Sequence, residues 1–292
     1  MGTVFVTAPC KINLSLDILG RRPDGYHEME MVMQSVSLAD QVTLTENGLG
    51  EIRIHSDCAG LPCDRSNLAY RAAEAYFQAV GSKRIGLDIT IQKRVPSQAG
   101  LGGGSADGAA VLVGLNELLK GGLPPQELAA IGAQVGADLP FCLLGGTRLV
   151  TGIGERTERV APLPDCAILL AKPQAGVSTP EAFARFDRQG LGTAGGTGSL
   201  LAALERRDLT GVGKALFNVL EPVCGLSQVD DLVEQMTELG ALGARMSGSG
   251  SAVFGLFEDP EQAERCRLAV ESQGYWVCSC RPLDHGAAVL SR

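Results

Sequence analysis

Between Pro96 and Ala110 the chain reads PSQAGLGGGSADGAA, with glycine at positions 100, 102, 103 and 104. An apolar run predicts a helix from Ser105 to about Lys120. Before the glycines, Leu87 to Lys93 alternates as a strand, with Leu87, Ile89 and Ile91 on one face and Asp88, Thr90 and Gln92 on the other. Strand, glycine loop and helix in that order build an anion site. Glycine lets backbone N–H groups turn inward and approach a ligand closely. The unpaired N–H groups and the positive end of the helix dipole then favour a phosphate. Ser105 reads as the N-cap, or its hydroxyl faces a phosphate or a metal ion. The loop is not a Walker A motif, because the only Gly-Lys pair is Gly213-Lys214 and alanine follows it. One formal dinucleotide fingerprint, Gly190, Gly192 and Gly195, follows the polar segment Pro180 to Arg188 instead of a strand and is set aside.

A phosphate ligand would have to be held locally. The net charge is −8 and no basic block occurs, which argues against nucleic acid or an anionic membrane as the main partner. Aromatic residues are 4% of the 292, so the core must be built mainly from Leu, Val, Ile and Ala. The nine cysteines are odd in number and lack zinc-type spacing, and only three histidines are present. Reduced thiols, no structural metal and a cytoplasmic protein are the expectation. The first residues lack a basic n-region, and no apolar run reaches the ~18 residues of a membrane span.

In chain order, Thr3 to Thr7 reads as a strand interrupted at Ala8-Pro9. Ile12, Leu14 and Leu16 then alternate with Lys11, Asn13, Ser15 and Asp17, so Lys11 and Asn13 share a polar face. On its own, a strand lysine there is as readily solvated as functional. Pro23-Asp24-Gly25 is a turn whose shoulder carries Tyr26 and His27; the pair clamps a planar ring or simply packs the turn. Strands are expected over Val36 to Glu46 and Glu51 to His55. Asn67 should cap a helix ending at Gly81, and another helix runs from Pro125 to about Val135, with Gly136 at its C′ position. Asp138 follows, either as a turn residue or as a carboxylate held to orient a hydroxyl. A strand with a glycine turn spans Gly145 to Glu155, and Pro162-Leu163-Pro164 marks a boundary. Beyond it come a strand at Ala167 to Ala171, a loop and short helix to Phe186, and a flexible connector at Gly190 to Gly198. Helices are expected over Ser199 to Arg206, Leu209 to Leu220 and Gln228 to Leu239. A second Gly-Ser loop, Met246-Ser247-Gly248-Ser249-Gly250, runs into a strand ending at Phe257. A helix over Pro260 to Ser272 and a strand over Tyr275 to Cys280 complete an α+β second half.

Three of these segments, Ala8-Pro9-Cys10-Lys11-Ile12-Asn13-Leu14, Pro96 to Ala110 and Met246 to Gly250, together resemble the three motifs of the GHMP kinase superfamily (galactokinase, homoserine, mevalonate and phosphomevalonate kinases). Gly103 and Gly104 stand where many members have serine. Within the superfamily, Arg22-Pro23-Asp24-Gly25-Tyr26-His27-Glu28 and Gly136-Ala137-Asp138-Leu139-Pro140-Phe141 resemble the branch acting on 4-diphosphocytidyl-2-C-methyl-D-erythritol, of the non-mevalonate isoprenoid route.

The resemblance implies an α+β, two-domain GHMP-kinase fold. Residues 1–160 would form the N-terminal ATP-binding domain, a mixed β-sheet with helices (ribosomal S5 domain 2-like). Residues 161–292 would form a C-terminal ferredoxin-like α/β sandwich. It implies Lys11 and Asp138 as the catalytic pair, with Lys11 holding Asp138 ionised. Pro96-Ser97-Gln98-Ala99-Gly100-Leu101-Gly102-Gly103-Gly104-Ser105-Ala106 would be the ATP-phosphate loop. Asn13, Tyr26, His27, Thr179 and Phe183 would hold the small-molecule cytidyl-diphosphate substrate, with cytosine sandwiched by Tyr26 and Phe183 and read at its edge by His27. ATP and Mg²⁺ are the implied cofactors, and a monomer or weak homodimer is expected. The rival readings are a non-catalytic member that kept the fold and a decarboxylase of the diphosphomevalonate type.

Overall fold

A computed structural model describes residues 2–81, 86–190 and 195–291. Over the described residues the chain is α+β, with two sheets. Its first half runs β1 (Thr3–Arg21), β2 (His27–Glu46), β3 (Ile52–Ser56), α1 (Leu68–Val80), β4 (Leu87–Gln92), α2 (Gly103–Leu118), α3 (Pro125–Ala133), α4 (Leu139–Leu144), β5 (Thr147–Gly152) and β6 (Arg156–Arg159). Then follow β7 (Ala167–Lys172), α5 (Thr179–Gln189), α6 (Thr197–Glu205), α7 (Leu209–Ala215), β8 (Phe217–Asn218), α8 (Ser227–Glu238), β9 (Gly243–Met246), β10 (Val253–Phe257), α9 (Pro260–Glu271), β11 (Trp276–Cys280) and β12 (Ala288–Ser291).

The first sheet has the order β12-β1-β2-β4-β3, with β5 on β2, β6 on β5, and the short β8 parallel to β1. It is mixed, since β3 and β4 also pair in parallel. The second sheet is β11-β7-β10-β9, antiparallel throughout, with α8 and α9 packed on it. This strand order, with a helix before β9 and another before β11, is the ferredoxin-like arrangement.

The strand β1 organises both halves. It does not stop at Ala8-Pro9: it runs through, because Pro9 sits at a register shift against β2, where a missing N–H is tolerated. A second shift falls between Asn13 and Ser15. Each bulge reverses which face the side chains take. Val4, Val6 and Ala8 therefore enter the first core, Cys10, Ile12 and Leu14 the second core against the β7 and β10 side chains, and Leu16 and Ile18 the first again. Between the bulges Lys11 and Asn13 are turned to the α2 side, and that polar face is buried, not solvated.

Several local expectations hold. Asn67 accepts a hydrogen bond from Ala69 N at 2.9 Å, and Gly81 closes α1 in the left-handed region. Others are corrected. Helix α2 begins at Gly103, with Gly102 as its N-cap (φ +70°), so Ser105 lies inside the first turn and is not the cap. Helix α7 stops at Ala215, five residues short of the expected Leu220, and β8 replaces its last turn. Strand β2 begins nine residues before Val36, and α4 and β12 were not anticipated. Residues 191–194 of the expected connector lie outside the described residues; α6 already begins at Thr197. All nine cysteines are free thiols.

Candidate active site

One cavity of about 360 Å³ gathers Lys11, Asn13, the loop from Pro96 to Gly104, Asp138, Thr179 and Phe183, together with Gly248 and Ser249. At its centre Lys11 is 4% exposed. Its Nζ donates to Asn13 Oδ1 at 2.6 Å and to Gly100 O at 2.9 Å. An ammonium has three donors. Two are used on neutral oxygens, and Asp138 Oδ2 lies 3.9 Å from the same nitrogen. Asp138 is held at the junction before α4, and its side chain is 30% exposed, open to the cavity.

The two Gly-Ser loops are tied together under this lysine. Gly100 O accepts from Ser247 Oγ at 3.0 Å as well as from Lys11, and Ala252 N donates to Ala99 O at 3.1 Å. The chain at Gly100 has φ +73°, and a Cβ there would fall 1.9 Å from Ser247 O. Only glycine fits. Ser247 Oγ also accepts from Asn13 N at 3.3 Å. The late loop is clamped from behind by Asn218, whose Nδ2 donates to Met246 O and Gly248 O, both at 2.8 Å. Nothing in the sequence marks Asn218, because the pattern there predicts a helix to Leu220. Pro222 gives no warning of this, since it restricts only Glu221, beyond the end of the expected helix.

Beneath the first glycine loop lies a buried charge cluster that the sequence reading also missed, and its Lys93 lines the cavity. Lys93 Nζ is hydrogen-bonded to Asp40 and, at 2.9 Å, to Asp107 Oδ2, and all three side chains are nearly fully buried. Asp40 Oδ1 also accepts from Arg94 N and Val95 N, which fixes the start of the loop. Burial opposes the Lys93 charge, but Asp107 and Asp40 more than offset it and raise its pKa. Two carboxylates share the one ammonium. Burial, opposed by Lys93 and reinforced by Asp40, pushes the Asp107 carboxyl up to about 7. In the unfolded chain that group titrates near ~3.9. Its contribution to stability is thus fully present below about pH 4 and lost as pH rises through about 7. Asp107→Asn should flatten the decline in unfolding free energy between about pH 4 and pH 7. Urea titrations at the two pH values check this; an unchanged decline would assign it to other groups.

The proposed substrate residues divide. Thr179 Oγ1 lies 2.8 Å from Ser249 Oγ, which joins α5 to the late loop. Phe183 is half-buried, and the ring stacked on it is His27, at 4.9 Å between centroids and 24° between planes. Tyr26 is 60% exposed at the tip of the β1–β2 turn and does not line the cavity. The Asn13 side chain is fully buried and engaged with Lys11. Ser105 is half-buried on the first turn of α2, and Ala106 belongs to the core.

Models of the GHMP kinases N terminal domain and the GHMP kinases C terminal match residues 67–146 and 200–275. The chain is 44% identical over 265 residues to a 4-diphosphocytidyl-2-C-methyl-D-erythritol kinase of Exiguobacterium sibiricum, covering 90% of this chain and 92% of that protein. It is 44% identical over 293 aligned residues to the protein of the same name from Carboxydothermus hydrogenoformans, covering 98% and 99%. A crystal structure of a 4-(cytidine 5'-diphospho)-2C-methyl-D-erythritol kinase superposes with TM-score 0.77 at 35% identity, over 94% of this chain and 98% of that one. Homoserine kinase from Cytophaga hutchinsonii shares the fold, with TM-score 0.79 at 22% identity over 99% and 98%.

Proposed function

The chain belongs to the 4-diphosphocytidyl-2-C-methyl-D-erythritol kinase family of GHMP kinases, and we propose that it transfers the γ-phosphoryl group of ATP to the 2-hydroxyl of that cytidyl substrate, with Lys11 and Asp138 as the catalytic pair. The observation that carries the site assignment is the convergence of Lys11, Asp138 and both Gly-Ser loops on one cavity. Phosphoryl transfer depends on positioning and charge stabilisation more than on covalent chemistry. The first loop and the start of α2 offer N–H groups to the triphosphate. Lys11 is fixed by Asn13 and Gly100, so its remaining donor is directed without reorganisation at the transferring group. Asp138 orients or deprotonates the acceptor hydroxyl.

Among the described residues no group of three or more His, Cys, Asp or Glu is placed to hold a metal ion by itself. Mg²⁺ would enter as a companion of the triphosphate and would supply charge neutralisation; of the oxygen donors that would hold it, Asp138 lines the cavity and Ser105 stands half-buried on the first turn of α2. Residues 1–160 and 161–292 form the two domains of this reading, with β8 and β12 of the second completing the sheet of the first. A cytoplasmic, monomeric or weakly dimeric enzyme is part of the same proposal.

The test is ADP release from ATP with the cytidyl substrate, homoserine and mevalonate offered separately. Turnover is expected with the cytidyl substrate alone. Turnover of either alternative in its place would leave only the superfamily. Asp138→Asn is expected to lower kcat by about 10²- to 10⁴-fold, the span for a lost general base. A solvent isotope effect that disappears in the variant would mark Asp138 as a base, whereas a persistent one would mark an electrostatic anchor.

A further inference from the structure

Helix α5 carries Thr179, Phe183 and Asp187 at i, i+4 and i+8, one stripe of a helical surface. The first two line the cavity; Asp187 does not, and it meets His27 and Arg21 of the β1–β2 hairpin. Asp187 Oδ1 lies 2.8 Å from His27 Nε2, and its Oδ2 lies 3.8 Å from Arg21 Nη1. His27 is the first residue of β2 and pairs in register with Arg21, the last of β1. The turn between them is internally bonded: Tyr26 N donates to Asp24 Oδ1 at 3.1 Å, and Arg22 donates to both Asp24 and Glu28. The His27 ring is thus fixed by its backbone, by the stack on Phe183 and by one hydrogen bond at Nε2. Among the described residues none is recorded as a hydrogen-bond partner of its Nδ1.

An ionised carboxylate can only accept. It therefore selects the imidazole with its proton on Nε2 and leaves a lone pair on Nδ1. A lone pair accepts from an exocyclic amino group and repels a carbonyl oxygen. Cytosine presents an amino group at C4, where uracil presents an oxygen. We propose that Asp187 is a specificity-determining positioning residue, which fixes His27 as an acceptor for the cytosine amino group and so sets the preference for cytidyl over uridyl substrates. This rests on the function proposed above, and it gives α5 the task of setting the base reader as well as stacking beside it.

The test uses the full chain and its Asp187→Ala and Asp187→Asn variants. Long-range ¹H–¹⁵N spectra of the three histidine rings report the tautomer without substrate, with His27→Gln identifying the signal. The Nε2–H form is expected in the unsubstituted protein and a mixture in Asp187→Ala. Binding of the cytidyl substrate and of its uridyl counterpart is measured without ATP, and turnover is measured separately. In Asp187→Ala the cytidyl KM should rise about tenfold, with kcat and the KM for ATP within about twofold, and the cytidyl-to-uridyl preference should fall about tenfold. Asp187→Asn, whose amide oxygen can still accept, should stay within about threefold. An unchanged His27 tautomer in Asp187→Ala, or equal losses for both bases, would overturn the proposal. A protein that prefers the cytidyl ligand through Asp187 but does not phosphorylate it would sink the kinase assignment and leave this one standing.

Discussion

Lys11→Met should reduce kcat with the cytidyl substrate by about 10³-fold, the range for removing a preorganised charged donor from a site shielded from water. Methionine keeps much of the stem and volume of lysine and removes only the ammonium. The loss is therefore electrostatic, and it falls on kcat more than on the KM for ATP, because the backbone N–H groups of the loop stay in place. Lys11→Arg is not expected to rescue. The lysine stem runs so close to the first loop that a Cβ on Gly102 would be 3.1 Å from Lys11 Cγ, and a planar guanidinium cannot replace a compact ammonium between Asn13 Oδ1 and Gly100 O. ADP-release kinetics read the effect, and a melting curve for each variant confirms that the fold is retained. A Lys11→Met enzyme within about tenfold of the unsubstituted one would falsify the catalytic pair.

Gly100→Ala has the largest expected structural effect. The new methyl group would fall 1.9 Å from Ser247 O, a backbone atom that cannot move unless the late loop moves with it. The left-handed conformation adds about 1–2 kcal/mol for any residue with a Cβ. Relief requires the two loops to separate, which breaks the bonds that Gly100 O receives from Lys11 and Ser247. A destabilisation of roughly 3 kcal/mol and a fall in melting temperature of roughly 6–12 °C follow. ATP binding should be lost along with it. Gly190→Ala is the matched control: its φ of +61° is similar, but a Cβ there meets nothing within 4 Å. It should cost only about 1 kcal/mol. Equal melting temperatures for the two variants would show that the loops are not coupled through Gly100.

Much of the site was legible because its motifs are local. The glycine run after the strand Leu87–Gln92 announces a candidate anion site wherever the remainder of the chain lies, since strand, turn and helix start are fixed by neighbours in sequence. The resemblance supplied Lys11, Asp138 and the late loop, and the cavity contains all three. Residues acting across long separations were missed. Asp187 meets His27 over 160 positions, Asn218 clamps a loop about 30 positions on, and Lys93 finds Asp40 across 53. None of these pairs leaves a periodicity or a spacing to read. Asp187 was the most recoverable, because its i+8 relation to Thr179 puts it on the face already assigned to the substrate.

The strand–glycine–helix order, the alternation that separates Lys11 and Asn13 from Ile12 and Leu14, and the absence of a basic field are properties of the sequence alone, because they depend on side-chain type and short-range geometry. Which face of β1 meets the first glycine loop is not. That depends on the bulges at Pro9/Lys11 and Asn13/Ser15, which arise from pairing with β2 and reverse the side-chain direction twice within one strand. Without them Lys11 would point into the second core, among apolar side chains such as Phe254 and Leu256. Strand pairing, a long-range interaction, decided that the lysine stands under the first glycine loop.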